Sequence, residues 1–410
     1  MIEWSEQHLM IRDAVRRFIE AEIKPKLEQI EHGEQPPYDI IRKLMATFGM
    51  VDMARARFES QIARDRARAR GEAGAAKSGG GGIGEAAGLA LIPIIELCRY
   101  CPGIVTAMGV SVGLAAAAIM SKGTVAQKER WGLALLTMEK IGAWAITEPG
   151  SGSDAFGGMK STARRDGDSY LLNGSKTFIT NGPYADTIIF ICKLDEPGVD
   201  AKQRKVLSFV LEKGMPGLTQ SKPLRKMGLH SSPTGELFLE DVRVGKDRLL
   251  GETEDAPARA GAKETFSMER TGVAAMALGI VQQCLDLSLD YARTRVQFGR
   301  PIGDFQLIQL KLAKMEVARM NLQNIVFRQI EMAEHGKGMS FAEASACKLY
   351  AAQTATEVAL EAVQLFGGNG YMAEYQVEQL CRDAKAMQIY AGTDEIQISQ
   401  IARSLLAAES

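Results

Sequence analysis

From Ser5 to Ile30 apolar residues recur at helical spacing (Leu9, Val15, Phe18, Ile19, Ile23, Leu27), and Ser5 followed by Glu6 supplies a cap and an acidic first turn. Helical patterning resumes from Leu89 to Lys140. Within it, Ile104 to Met120 carries no charge but is rich in Gly, Ala and Ser and slightly short for a bilayer span, which predicts a buried helix rather than a membrane anchor. Between these segments, residues 55–85 run through Arg and Ala into Ala76-Lys77-Ser78 and a run of glycines. Such a stretch buries little apolar surface, so a mobile surface excursion is expected there.

The period changes between Ile141 and about Gly251. Short alternating or apolar runs (Ser169–Leu172, Thr187–Ile191, Val206–Val210, Glu236–Leu239) are bounded by Gly, Pro, Asp or Asn, as at Asn173-Gly174, the signature of strands joined by turns. From Pro257 onward the helical period returns in segments near 264–295, 303–335, 340–366 and 374–389, with a last one from Asp394. The pattern predicts an α+β multidomain chain: a helical domain over 1–141, a β-barrel-like domain over 142–255, and a four-helix bundle over 256–410.

Composition narrows the function. The 410 residues hold 46% hydrophobic and 24% charged side chains, the balance of a packed soluble protein. Lys+Arg 49 against Asp+Glu 50 gives a net charge of -1, so nothing in the global field attracts nucleic acid or anionic lipid, and neither is an expected partner. Six scattered cysteines suggest reduced thiols in a reducing, cytoplasmic setting. Cys98 and Cys101 form a CxxC without a second pair or a nearby His, which reads as two small buried side chains. The acidic start, Met1-Ile2-Glu3-Trp4, lacks the basic and apolar regions of a secretory signal.

The chemistry is concentrated in ordered strings. Trp144-Ala145-Ile146-Thr147-Glu148-Pro149-Gly150-Ser151-Gly152-Ser153-Asp154 has the small residues that let backbone N–H groups approach a phosphate, and Lys176-Thr177-Phe178-Ile179-Thr180-Asn181-Gly182 follows at a strand end. Tyr291 to Ile302, Phe305-Gln306, Gln364 to Tyr371 and Ile389 to Gln397 complete the series. Together these strings resemble the acyl-CoA dehydrogenase family of flavoproteins.

The resemblance implies FAD as cofactor. Trp144, Ala145, Ile146 and Thr147 would form one wall of the flavin site, with Phe178 and Ile179 beside the ring. Thr147 and Thr180 would bond the ring edge. Gly152 and Ser153 would approach pyrophosphate or the phosphate of CoA. In the family a neighbouring subunit completes the site, which points to Arg295, Phe298, Gln306, Gln364, Gly367 and Gly368, while Thr393 and Glu395 reach the dinucleotide from the last helix. The same resemblance implies an acyl-CoA substrate, an electron-transferring flavoprotein as oxidant, and a homo-oligomer, commonly a dimer of dimers.

The reaction implied is α,β-dehydrogenation of the acyl thioester to a trans-2-enoyl-CoA, with FAD N5 taking the β-hydride. It needs a carboxylate base in an apolar pocket, where burial raises its proton affinity from the usual ~4.3. Most of the family carries that Glu just before the final Gly-Thr; here the position is Ala391, followed by Gly392. A branch resembling the isovaleryl- and long-chain acyl-CoA dehydrogenases places it earlier, before an Arg. Phe266-Ser267-Met268-Glu269-Arg270 matches that arrangement and nominates Glu269. Ser267, Met268 and Arg270 are then substrate contacts, although Ser267 stands where relatives often carry Asp. Ala391 keeps the backbone N–H that, in the family, helps polarise the thioester carbonyl, with Gly392 beside it. Ala107, Val110 and Leu114 share one helix face and are either ordinary core residues or, as the resemblance implies, acyl-pocket lining; as lining they predict a fatty or branched acyl group rather than a carboxylated one. The alternatives are an enoyl-CoA reductase or oxidase variant, and a catalytically silent FAD-binding subunit.

Overall fold

The computed structural model describes residues 3–32, 35–72, 83–255 and 258–407, with the side chains of residues 83–87 and 258–269 outside the description. The N-terminal domain contains α1 (Glu6–Phe18), α2 (Leu27–Glu31), α3 (Tyr38–Thr47), α4 (Met50–Ala69), α5 (Ile83–Cys98), α6 (Pro102–Met108), α7 (Ala117–Lys122), α8 (Val125–Gln127) and α9 (Leu133–Leu136). Seven strands follow: β1 (Gly142–Ala145), β2 (Thr162–Asp166), β3 (Ser169–Thr180), β4 (Thr187–Leu194), β5 (Val206–Glu212), β6 (Leu218–Gln220) and β7 (Thr234–Gly245). The third domain is helical, with α10 (Ala258–Thr294), α11 (Gln306–Glu334), α12 (Phe341–Phe366), α13 (Gln376–Met387) and α14 (Asp394–Ala407).

The expected single helix over residues 5–30 is instead α1 and α2 with two irregular turns between them. A π-helical turn at Ile19–Ile23 and a 3-10 turn at Lys24–Lys26 intervene, because Pro25 cannot donate the next ladder bond. The expected excursion over 55–85 also needs correction. Residues 55–69 belong to α4, which buries Phe58 and Ile62 against Met120; two apolar anchors suffice to hold an otherwise Arg-rich helix. The glycine run lies outside the described residues. The apolar segment Pro102–Lys122 passes the length and hydropathy test for crossing a membrane, as does Arg270–Thr294, and both lie mostly buried as core helices of this fold. The first is bent through a π-helical stretch, Gly109–Ala116.

The middle domain is one curled sheet in the order β1-β4-β2-β3-β7-β6, with β5 on the other side of β4. Asn173-Gly174 is a correction: β3 runs through it without turning, and the register slips between Leu172 and Gly174 instead. Gly174 sits at φ +148°, where a Cβ would lie 2.2 Å from the Ser161 hydroxyl, so the dipeptide forms a bulge. β4 is buried along its whole length and faces two cores. Ile188, Phe190, Cys192 and Leu194 pack within the sheet domain, while Ile189 and Ile191 pack on Ala115, Ile119 and Trp131 of the N-terminal helices. Each large apolar side chain buried this way contributes roughly 1.5–3 kcal/mol, so this alternation welds the two domains.

Asn181 fixes the same junction. At φ +64° its side chain donates to the carbonyls of Ala107 and Gly142, both at 2.9 Å, and accepts from the Tyr38 hydroxyl at 3.1 Å. The bundle closes on alanine faces, with Ala274 and Ala277 of α10 against Ala351, Ala355 and Ala359 of α12. At Gly279 a Cβ would sit 2.2 Å from the Ile95 carbonyl, so α5 crosses α10 backbone to backbone.

Candidate active site

A cavity of about 580 Å³ opens where the three domains meet. The N-terminal domain contributes Val105, Thr106, Gly109, Val110, Gly113 and Leu114, and β3 contributes Phe178 and Thr180. α10 supplies Gly272, Val273 and Met276, and Ile389 and Tyr390 follow from beyond α13. Lys226 to Leu229, Ser232 and Thr234 close the remaining side. The lining is apolar along α10 and the N-terminal helices and cationic where Lys226 meets Arg382 and Lys385 of α13, with no acidic lining residue among those described.

Two segments of backbone are held so that N–H groups face outward. In the Glu148–Asp154 loop, Glu148 is buried and pairs with Lys176, which is fully buried, at 2.8 Å. The same carboxylate accepts from the amides of Lys160 and Ser161 at 2.6 and 3.0 Å, and Lys176 also donates to the Ile146 carbonyl at 3.0 Å. Burial alone would raise the Glu148 carboxyl, but Lys176 and these donors outweigh it and hold it below the usual range. With the loop anchored beneath, Gly152 and Ser153 are exposed, and their N–H groups find no acceptor among the described residues. The amide of Thr177 donates to the Thr147 carbonyl at 3.0 Å, which joins the loop to β3.

The second segment is Ala391-Gly392-Thr393. Gln397 donates to the carbonyls of both Ala391 (3.0 Å) and Gly392 (2.8 Å), and Lys348, fully buried, donates to Gly392 at 2.9 Å. Arg270 donates from Nε to the Ala391 carbonyl at 3.3 Å and from a terminal nitrogen to the Ser345 hydroxyl at 3.0 Å, with its guanidinium 4.3 Å from the Phe341 ring centroid. All these donors lie on the carbonyl side. Ala391, at φ +54°, and Gly392, at φ +91°, therefore carry N–H groups with no acceptor among the described residues.

The sequence-predicted residues are spread over several settings. Phe178 and Thr180 line the cavity; Phe178 is at φ +58°, 69% exposed, at a register slip that turns its ring out of the sheet. Trp144 and Thr147 are half-buried beside them, whereas Ala145, Ile146 and Ile179 are buried under the strands. Val110 and Leu114 line the cavity as expected. Ala107 does not: it is fully buried, and its carbonyl is the one held by Asn181. A seven-residue face spans more of the helix than the cavity does once the π-helical stretch rotates the register.

Arg295, Phe298, Gln306, Gln364, Gly367 and Gly368 form a separate exposed group at the C-terminal ends of α10 and α12 and the start of α11. They are held there by the stack of Tyr291 on Phe366, 4.1 Å between centroids. Phe298 is 93% exposed at φ +52°. Thr393 is half-buried and Glu395 exposed at the start of α14. Arg270 is buried. The side chains of Ser267, Met268 and Glu269 lie outside the description; their backbone belongs to α10, in the turn just before Arg270.

Sequence reasoning missed the segment from Lys226 to Thr234 and the cavity-lining Gly109, Gly113 and Gly272. The first carries no periodic signal. Only its position after a short strand and its two prolines, Pro223 and Pro233, mark it as a loop. Lys226 donates to the Thr234 hydroxyl at 3.2 Å and to the Ser232 carbonyl, and burial draws its ammonium down to about 8 against the opposing pull of Asp383 and Glu31. Ser232 is buried with its hydroxyl unpartnered.

The arrangement fits a flavin dinucleotide. The hydroxyls of Thr147 and Thr180 have no partner among the described residues, an exposed aromatic ring stands beside them, and the free N–H groups of Gly152 and Ser153 suit a pyrophosphate. Comparison with known proteins agrees. The family model for the Acyl-CoA dehydrogenase N-terminal domain matches residues 5–139, that for the middle domain residues 143–242, and that for the C-terminal domain residues 260–406. An acyl-CoA dehydrogenase of Bacillus subtilis is 37% identical, with 98% of each chain covered. A 3-(aryl)acrylate reductase of Clostridium sporogenes is 36% identical over 98% of this chain and 99% of its own. The butyryl-CoA dehydrogenase structure from Megasphaera elsdenii superposes with a TM-score of 0.83 at 34% identity, covering 99% of this chain and all of that one. Three consecutive domain matches, relatives spanning nearly the full length and a common three-domain fold place this chain in the acyl-CoA dehydrogenase family, whose members are flavoproteins.

Proposed function

We propose that this enzyme dehydrogenates an acyl-CoA thioester to the trans-2-enoyl-CoA, with Glu269 as the base for the α-proton. The observation that carries the proposal is the bond from Arg270 to the Ala391 carbonyl, which brings the turn of α10 bearing Glu269 to the loop that lacks a carboxylate. A carboxyl arriving from α10 compensates for the methyl group at 391. The N–H of Ala391, without an acceptor among the described residues, is the donor for the thioester carbonyl; a donor aimed at a developing enolate is worth about 2.7–4 kcal/mol in comparable sites. Polarising the carbonyl acidifies the α-carbon, and the apolar walls formed by Val105, Val273 and Met276 exclude water from the base.

FAD would supply the acceptor for the β-hydride at its N5. Thr147 and Thr180 hold the ring edge, Phe178 packs beside it, and Gly152 and Ser153 donate to phosphate. The exposed group of Arg295, Phe298, Gln306, Gln364, Gly367 and Gly368 is offered to the cofactor of a second copy, so cofactor binding and oligomerisation, in dimers that pair into a tetramer, are linked. An electron-transferring flavoprotein is the proposed oxidant.

The test is anaerobic mixing of the flavin-loaded protein with acyl-CoA. Glu269→Gln keeps its flavin absorbance but loses bleaching by substrate; bleaching at the wild-type rate in that variant overturns the assignment. A second reading, reduction of an enoyl substrate, is favoured by the reductase among the relatives. It predicts faster oxidation of the reduced protein by enoyl-CoA than bleaching by the saturated thioester.

A further inference from the structure

Among the described residues, Gly88, Gly103 and Gly279 in the helices around the cavity have a packing reason. A Cβ on Gly103 would lie 2.1 Å from the Ser231 hydroxyl, and one on Gly279 would meet the Ile95 carbonyl. Gly109, Gly113 and Gly272 differ. None has a positive φ, so no turn requires them, and a Cβ built on any of the three meets no described atom within 4 Å. Glycine inside a helix is otherwise a cost relative to alanine. All three line the cavity, Gly109 and Gly113 four residues apart on the N-terminal wall and Gly272 on the wall formed by α10. The open space beside each is therefore cavity space.

We infer that this enzyme selects an acyl group of large cross-section, branched or ring-bearing, over a straight short chain. The inference deepens the reading of the cavity as an acyl-CoA site and rests on it. Two walls recede at once, which adds width as well as depth. The side chains framing the space, Val105, Val110, Leu114, Val273, Met276 and Tyr390, offer only apolar, sulfur and ring-edge contacts. Met276 and Tyr390 touch, sulfur to hydroxyl at 3.7 Å, leaving polarisable surface suited to a ring face. The buried, unpartnered hydroxyl of Ser232 marks the same cavity as one that awaits a ligand.

The experiment compares kcat/KM for 3-phenylpropanoyl-CoA, isovaleryl-CoA, butyryl-CoA and octanoyl-CoA, using the flavin-loaded enzyme and its Gly109→Leu and Gly113→Leu variants. The expected result is preference of the wild type for one of the two bulky thioesters, with the bulky-to-butyryl ratio falling about tenfold or more in each variant. Gly113→Ala is a milder control that helix propensity favours, and melting temperature and flavin content show that each variant is folded. Wild-type preference for butyryl- or octanoyl-CoA, or ratios unchanged in folded leucine variants, overturns the inference. If no thioester bleaches the wild-type flavin, the acyl-CoA reading itself fails, a distinguishable outcome.

Discussion

Arg270 and Ala391 are joined by a 3.3 Å hydrogen bond across 121 residues of chain, from the guanidinium of a bundle helix to a carbonyl of the Ala-Gly-Thr loop. Because the carbonyl is taken, the loop presents its amide outward, and because the donor is Arg270, the preceding residue, Glu269, travels with it. One bond thus sets both the outward amide of Ala391 and the backbone position of Glu269, the proposed base.

Arg270→Lys separates these roles from charge. A lysine keeps the positive charge but cannot reach the Ala391 carbonyl and the Ser345 hydroxyl in one planar fork. The expected outcome is a stability loss of about 1.5–3 kcal/mol by denaturant titration. Flavin bleaching should slow by roughly 100-fold with cofactor content retained, since small misplacements of reacting groups cost that much. Wild-type bleaching rates in a folded variant would refute the positioning role.

Lys176→Met leaves the buried Glu148 carboxylate without its ammonium partner. Removing one member of such a pair costs about 3–5 kcal/mol, and the double variant with Glu148→Gln should recover part of it. Since Glu148 also holds the amides of Lys160 and Ser161, the flavin-to-protein absorbance ratio should drop in the single variant. For pH, a carboxyl held below its usual value stabilises the fold above the unfolded value, and that contribution is lost on acidification through the folded one. Wild type should therefore shed cofactor at acid pH.

Glu31 behaves in the opposite sense. Burial, reinforced by the neighbouring Asp383, pushes its carboxyl up to about 8 from an ordinary 4.5. Across that interval the folded chain holds a proton that the unfolded chain has released, so stability falls as pH rises, by at most about 1.4 kcal/mol per pH unit. Glu31→Gln mimics the protonated form. Its melting temperature should exceed that of wild type by a margin that widens between pH 6 and pH 8; a constant or shrinking margin would contradict the protonated state.

The site was legible wherever it consists of contiguous strings. Thr147, Phe178 and Thr180 lie within short motifs, and the structure brings Phe178 and Thr180 to the cavity with Thr147 tied to the same strand. The helical segments of the bundle were equally legible, because a 3.6-residue period persists over the 29 residues of α11 and the 26 of α12. Ala107 failed for a physical reason: a helix face defined by ideal spacing drifts once a π-helical stretch is inserted. Asn173-Gly174 failed because the same dipeptide serves a hairpin or a bulge, and Ser161, just before the neighbouring strand β2, packs against Gly174 in the bulge.

What the sequence determined by itself is everything carried by neighbours along the chain: the helix–strand–helix order, the small-residue strings of the middle domain, and an alanine at 391 with a Glu-Arg pair at 269–270. Tertiary structure alone decided what depends on distant segments meeting. It turned the Ala391 amide outward by placing Arg270, Lys348 and Gln397 behind it, and it buried Lys176 under the Glu148–Asp154 loop. It also set Gly109 and Gly113 of one domain with Gly272 of another around a single space. Periodicity and composition register local free energies, whereas a cavity is the space that three independently patterned surfaces leave unfilled when they pack.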